Sequence, residues 1–124
     1  MPDNALNITP IILGSDYNAY GMVRSFYEVI HRPIDIYCSF VLAPCKYSKI
    51  INYNVVDNFE TDPTWINTMR NLRDAYKTHK EPVVLIACGD GYSKLITKHR
   101  HELEDTFICF PSMNADLMES LEHK

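Results

Sequence analysis

The chain is 124 residues long and carries 12 Lys and Arg against 16 Asp and Glu, a formal net charge of −4; that suffices for one domain with a core but leaves no clustered basic face for nucleic acid. Its longest early apolar run, Ile11 to Leu13, is far too short for a signal-peptide core or a membrane span, so a cytoplasmic protein is expected by default. The four cysteines, Cys38, Cys45, Cys88 and Cys109, form no Cys-x-x-Cys pair and read as buried reduced thiols rather than disulfides or zinc ligands.

After a lead-in, Thr9 to Leu13 supplies a first strand, and Gly14 permits a turn where Ser15 or Asp16 caps a helix over 17–30. Ala19, Met22, Val23, Phe26, Tyr27 and Ile30 recur at helical spacing, which buries one face. Gly21 inside this helix suggests close backbone approach. A second strand is expected over 34–39, a link with at most one helical turn over 40–50, and a third strand over 53–56. Asp62 as cap and Pro63 at the first helical position, where a missing N–H costs nothing, start a helix over 63–78. Trp65, Met69, Leu72 and Tyr76 form its inward stripe.

Val83 to Ala87 is a continuous apolar run without polar alternation, the pattern of a strand buried on both faces. It breaks at Cys88-Gly89-Asp90-Gly91-Tyr92, where Asp90 is expected to cap a helix over 91–104. A fifth strand over 107–110 and a last helix over 113–121 complete the pattern. Strand and helix alternate almost throughout, which predicts an α/β, Rossmann-like three-layer domain with a mostly parallel five-stranded sheet. Right-handed crossovers then give the order 3-2-1-4-5.

In that order strands 1 and 4 are neighbours whose connections leave toward opposite faces, and open α/β sheets place ligands beyond the carboxyl ends at such a point. The candidate substrate-binding residues are therefore Gly14, Ser15 and Asp16 from the first turn and Cys88, Gly89, Asp90, Gly91 and Tyr92 from the second. Both turns precede helices, whose free N–H groups favour an anionic group such as a carboxylate or phosphate. Glycines and capping aspartates are also what the turns require with nothing bound.

Other motifs fail. Leu-Gly-Ser-Asp-Tyr-Asn is not a dinucleotide fingerprint, and no phosphate loop of the Gly-x-x-x-x-Gly-Lys type exists. His31, His79, His99, His101 and His123 read as surface histidines without metal-ligand spacing. Cys88 has no assignable histidine partner, so no catalytic nucleophile is expected. The cluster Lys94, Lys98, His99 and Arg100 is followed at once by Glu102, Glu104 and Asp105, a solvated helix face.

Five stretches together carry a resemblance. Pro10 to Phe26, Leu42-Ala-Pro-Cys-Lys-Tyr-Ser-Lys-Ile, Thr61-Asp-Pro-Thr-Trp-Ile, Leu85-Ile-Ala-Cys-Gly-Asp-Gly-Tyr and Thr106-Phe-Ile-Cys resemble, in order, the N-terminal (pre-ATP-grasp) domain of ATP-grasp carboxylate–amine ligases, above all the D-aspartate ligase group of peptidoglycan synthesis. The resemblance implies that residues 1–124 form a single pre-ATP-grasp domain, the N-terminal fragment of a longer enzyme. It implies a reaction in which a carboxylate is activated as an acyl phosphate and attacked by an amine. ATP and magnesium would be bound by domains that follow, so no catalytic or metal-binding residue is expected here and the fragment alone is expected to be inactive. The implied partners are a small carboxylate or amino-acid substrate and the C-terminal ATP-grasp domains of the same chain; homodimerisation stays open, and neither nucleic acid nor membrane is expected. The alternative is a stand-alone Rossmann-like or receiver-type binding module, for which Asp16 stands alone and Asp57 is a weak phosphoacceptor.

Overall fold

The structure, a computed structural model, describes residues 7–40 and 43–110; the helix expected over 113–121 lies outside them. The elements are β1 (Thr9–Leu13), α1 (Tyr17–Ile30), β2 (Ile34–Cys38), the single turn α2 (Ala43–Lys46), β3 (Ile51–Val55), α3 (Thr64–Ala75), β4 (Val83–Ala87), α4 (Asp90–Leu103) and β5 (Phe107–Phe110). They build a five-stranded sheet in the order β3-β2-β1-β4-β5, parallel at every pairing, with helices on both faces.

Side chains alternate across the sheet because the strand period is two. Ile12, Ile36, Val84 and Ile86 point to the face covered by α1, where Val23, Phe26 and Ile30 meet them. Ile11, Leu13, Leu85 and Ala87 point to the other face, against Trp65 and Met69 of α3 and Ile96 of α4. All five residues of β4 are buried, and burying each of its larger aliphatic side chains contributes about 1.5–3 kcal/mol relative to exposure.

Several local expectations shift. β3 begins at Ile51, two residues early, because Asn52 and Asn54 occupy the alternate positions of a half-exposed edge strand and hide its pattern; the Asn54 side-chain amide donates to the Ile36 carbonyl at 3.1 Å. α3 starts at Thr64 with Pro63 in the cap position, although the Asp62 carboxylate still accepts from the Ile66 amide at 3.3 Å. Asp90 is not the cap of α4. Gly89 holds that position with φ 122° and makes no side-chain cap, so the chain has already turned helical at Asp90. Gly21 does not mark a close approach, since a Cβ there would meet nothing within 4 Å.

His99 is the clearest departure. It interrupts α4 with φ −112° and ψ 16°, stacks on Trp65 at 5.9 Å between ring centroids, and its Nε2 lies 2.8 Å from Asp62 Oδ2. It is mostly buried, not a surface histidine, because Tyr92, Ile96, His99 and Leu103 fall on one stripe facing α3. Lys98 Nζ donates to the same carboxylate oxygen at 3.0 Å. Burial pushes the Asp62 carboxyl up, but the hydrogen bonds and charges of His99 and Lys98 outweigh it and hold it below its usual value. Arg70 and Arg73 bridge to Glu102 beside this latch.

Candidate functional site

The register of β1 with β4 sets Leu13 beside Ala87, so the two glycine turns leave the sheet side by side. The Cys88 amide donates to the Leu13 carbonyl and the Gly14 amide to the Tyr37 carbonyl, both at 2.9 Å. Gly14 adopts φ 132°, and a Cβ placed on it would stand 3.1 Å from the Cys88 carbonyl oxygen. Only glycine fits both demands. α1 covers one face and α4 the other, which is the switch-point arrangement expected from the order of elements.

A cavity of about 170 Å³ opens at this rim, lined by Gly14, Ser15, Asp16, Cys38, Ser39, Phe40, Glu60, Cys88 and Tyr92. Of the residues expected from sequence, Gly14, Ser15, Asp16, Cys88 and Tyr92 line it. Gly89, Asp90 and Gly91 do not; all three are exposed at the start of α4, and a Cβ at Gly89 or Gly91 would meet nothing within 4 Å. Cys38, Ser39, Phe40 and Glu60 were not foreseen at the site. They come from the end of β2 and from the turn between β3 and α3, and only the pairing of β2 with β3 brings them to the rim.

The polar groups are ordered by hydrogen bonds within the protein. The Ser15 hydroxyl donates to the Phe40 carbonyl at 2.8 Å, and the Ser39 hydroxyl donates to Glu60 Oε1 at 2.8 Å. Asp16 Oδ1 accepts from the Ala19 amide at 2.9 Å. Tyr92 is 8% exposed, and its phenol is held well above the ordinary range by burial first and the Glu60 charge second, with hydrogen bonds from Ser39 opposing. Behind it Phe59 packs at 5.6 Å from Tyr92 and 6.4 Å from Trp65 between centroids, which seats Tyr92 against the α3–α4 layer.

None of these groups is an activated nucleophile. Burial pushes the Cys88 thiol up to about 12, with the Asp16 and Cys45 charges adding; Cys45 is pushed up to about 11 by burial in the same way. Burial thus wins over any lowering from the nearby helix start. The cavity wall thus presents hydrogen-bonding groups without an activated thiol. Asp57, the weak phosphoacceptor candidate, is exposed in the turn after β3 and does not line the cavity.

A larger depression, about 570 Å³, lies at the opposite end of the strands against Thr9, Arg32, His79 and Glu81. Its acidic group is already engaged: Arg32 and Thr9 both donate to Glu81 Oε1, at 2.6 and 2.9 Å. Among the described residues no helix is long and apolar enough to cross a membrane.

The doubly wound parallel sheet, with paired turns sharing a cavity at the switch point, defines a Rossmann-like α/β fold with a polar cavity at its carboxyl rim. Among known proteins, the chain is 47% identical over 116 residues to D-aspartate ligase of Enterococcus faecium strain Aus0004. The match takes in 93% of this chain and 27% of that ligase. The chain therefore matches a fragment of a longer ligase and spans about a quarter of its length. No family model matches the chain, and no solved structure matches it.

Proposed function

We propose that this chain is a pre-ATP-grasp domain, the N-terminal wall of the substrate cleft in an ATP-dependent carboxylate–amine ligase, and that D-aspartate in peptidoglycan synthesis is the carboxylate it helps to hold. The observation that carries the reading is the coincidence of the match to D-aspartate ligase with a polar cavity at the rim where this fold places ligands. In such a reaction ATP activates the carboxylate as an acyl phosphate, and an amine displaces the phosphate. Use of ATP sets the reaction in the cytoplasm.

The contribution of this domain is orientation. The first-turn amides of α4 have no side-chain cap and offer donors and a partial positive charge to a substrate carboxylate. Glu60 and Asp16, lining the cavity beside them, take the ammonium group of an amino acid. Among the described residues no group of three or more His, Cys, Asp or Glu is placed to hold a metal ion. On this reading magnesium and ATP are held by the remainder of the longer ligase.

The test is kinetic, in the full-length ligase that carries this domain. Asp16→Asn, which keeps a capping oxygen, and Glu60→Gln are expected to raise KM for the amino-acid substrate about tenfold, with Tm moved by no more than about 2 °C. Parental kinetics in both variants, each folded, would reject the role of this rim.

A further inference from the structure

Among the described residues β3 is one of the two edge strands of the sheet, and its sequence, Ile-Asn-Tyr-Asn-Val, carries no charge and no proline. Edge strands are ordinarily kept from pairing by lysines, prolines, bulges or a covering element. Here Tyr53 is 47% and Val55 49% exposed.

The backbone direction is fixed by the pairing with β2. The Ile50 carbonyl accepts from the Ile34 amide and the Val56 amide donates to the Cys38 carbonyl, both at 2.9 Å. Residues 50, 52, 54 and 56 therefore turn their peptide groups inward, and Ile51, Tyr53 and Val55 turn theirs outward at the free edge. Those outward groups are self-complementary. Set antiparallel to a second copy with Tyr53 opposite Tyr53, the strand places Ile51 opposite Val55 and Asn52 opposite Asn54. Every outward amide then meets an outward carbonyl of the other copy.

The side chains agree with that register. Ile51, Tyr53 and Val55 share one face and extend as an apolar row across the junction, while Asn52 and Asn54 share the other and offer mutual amide bonds. Lys49 and Asp57 lie in the turns that flank the strand at its two ends, so antiparallel pairing brings the cation of each copy to the end where the other copy carries the anion. Neither residue makes an ion pair among the described residues, and the twofold axis uses both pairs at once.

We infer that the free edge of β3 pairs with β3 of a second copy of this chain, antiparallel and centred on Tyr53, joining two five-stranded sheets into one continuous sheet. Antiparallel joining sends the two carboxyl rims to opposite ends of the dimer, so neither cleft is covered by the other copy. One strand pair is a small contact, so a weak, reversible dimer is expected, with a dissociation constant of about 10–1000 μM.

Sedimentation velocity of this chain from about 5 μM to about 1 mM, together with amide hydrogen exchange, tests the inference. The expected result is a reversible dimer whose formation slows exchange at Ile51, Tyr53 and Val55 with rising concentration, while Asn52 and Asn54, already bonded to β2, stay unchanged. Tyr53→Lys, a substitution at an exposed position whose folding is checked by thermal melting, is expected to raise the dissociation constant at least about tenfold. Lys49→Asp and Asp57→Lys are each expected to raise it about fivefold, and the double charge swap to restore it to within about twofold. A monomer over the whole range, exchange at the three outward amides independent of concentration, a dimer indifferent to Tyr53→Lys, or a double swap that fails to recover would each overturn it.

Discussion

The two glycine turns sit side by side yet are built in opposite ways. The first is closed: Gly14 is buried with φ 132° and a Cβ would press on the Cys88 carbonyl at 3.1 Å, and Asp16 caps α1 by accepting from Ala19. The second is open: Gly89 has φ 122° but free space around it, and α4 begins without a side-chain cap. The first turn ties its side chains into the fold through the Ser15 and Asp16 hydrogen bonds, whereas the second starts its helix with no side-chain cap. Adjacent glycine turns thus differ in how firmly each helix start is held.

The largest expected effect separates them by sterics. Gly14→Val adds backbone strain of about 1–3 kcal/mol to overpacking of similar size, and is expected to lower Tm by more than about 10 °C. Gly89→Ala carries the strain alone, about 1–3 kcal/mol. Equal losses at the two positions, measured by urea unfolding, would erase the difference between them.

A second prediction concerns the seat of α4. The Asp62 carboxyl is held below its ordinary value of 3.8 by His99 and Lys98, which outweigh its burial. A carboxyl lowered on folding stabilises fully above its unfolded value and loses that contribution as pH falls through the folded one. Below about pH 4 the parent should therefore lose stability faster than Asp62→Asn, as acid titration by circular dichroism would show. Parallel curves would mean that the latch does not hold α4.

Smaller effects sharpen the contrast at the caps. Asp16→Ala removes a cap bond and should cost about 1 kcal/mol, whereas Asp90→Ala, exposed and bonded to nothing as a cap, should cost no more than about 0.5 kcal/mol through the helix dipole. Gly91→Ala, inside α4 with open space around it, should stabilise by about 0.5–1 kcal/mol. Thermal melts of the three variants would order them.

The sheet was legible in the sequence because its strongest signals are physical necessities. A β-branched run as short as Val83 to Ala87, bounded by Pro82 and Gly89, is too short for a buried helix and fits a central strand, and alternation with amphipathic helices restricts the order of strands. Where residues make contacts across the fold, legibility ended. Ser39 and Glu60 lie 21 residues apart and meet only through the pairing of β2 with β3, so no local pattern announces them. Asp90 resembled a cap until the φ of Gly89 moved the helix start past it. His99 looked like one of several surface histidines, although its spacing from Ile96 and Leu103 already placed it on the packed stripe. For a glycine at position 21, exposed with open space around it, the structure offers no physical reason.

The central claim is that the carboxyl rim of β1 and β4, and not another surface, receives the small amino-acid substrate proposed above. Titrating that amino acid into the isotopically labelled chain while following backbone amide resonances addresses it directly. The account predicts saturable shifts, with a dissociation constant of about 1 mM or weaker, confined to Gly14, Ser15, Ser39, Glu60 and the segment 88–92. Shifts centred instead on Thr9, Arg32 and Glu81, or no shifts at about 50 mM, would contradict it.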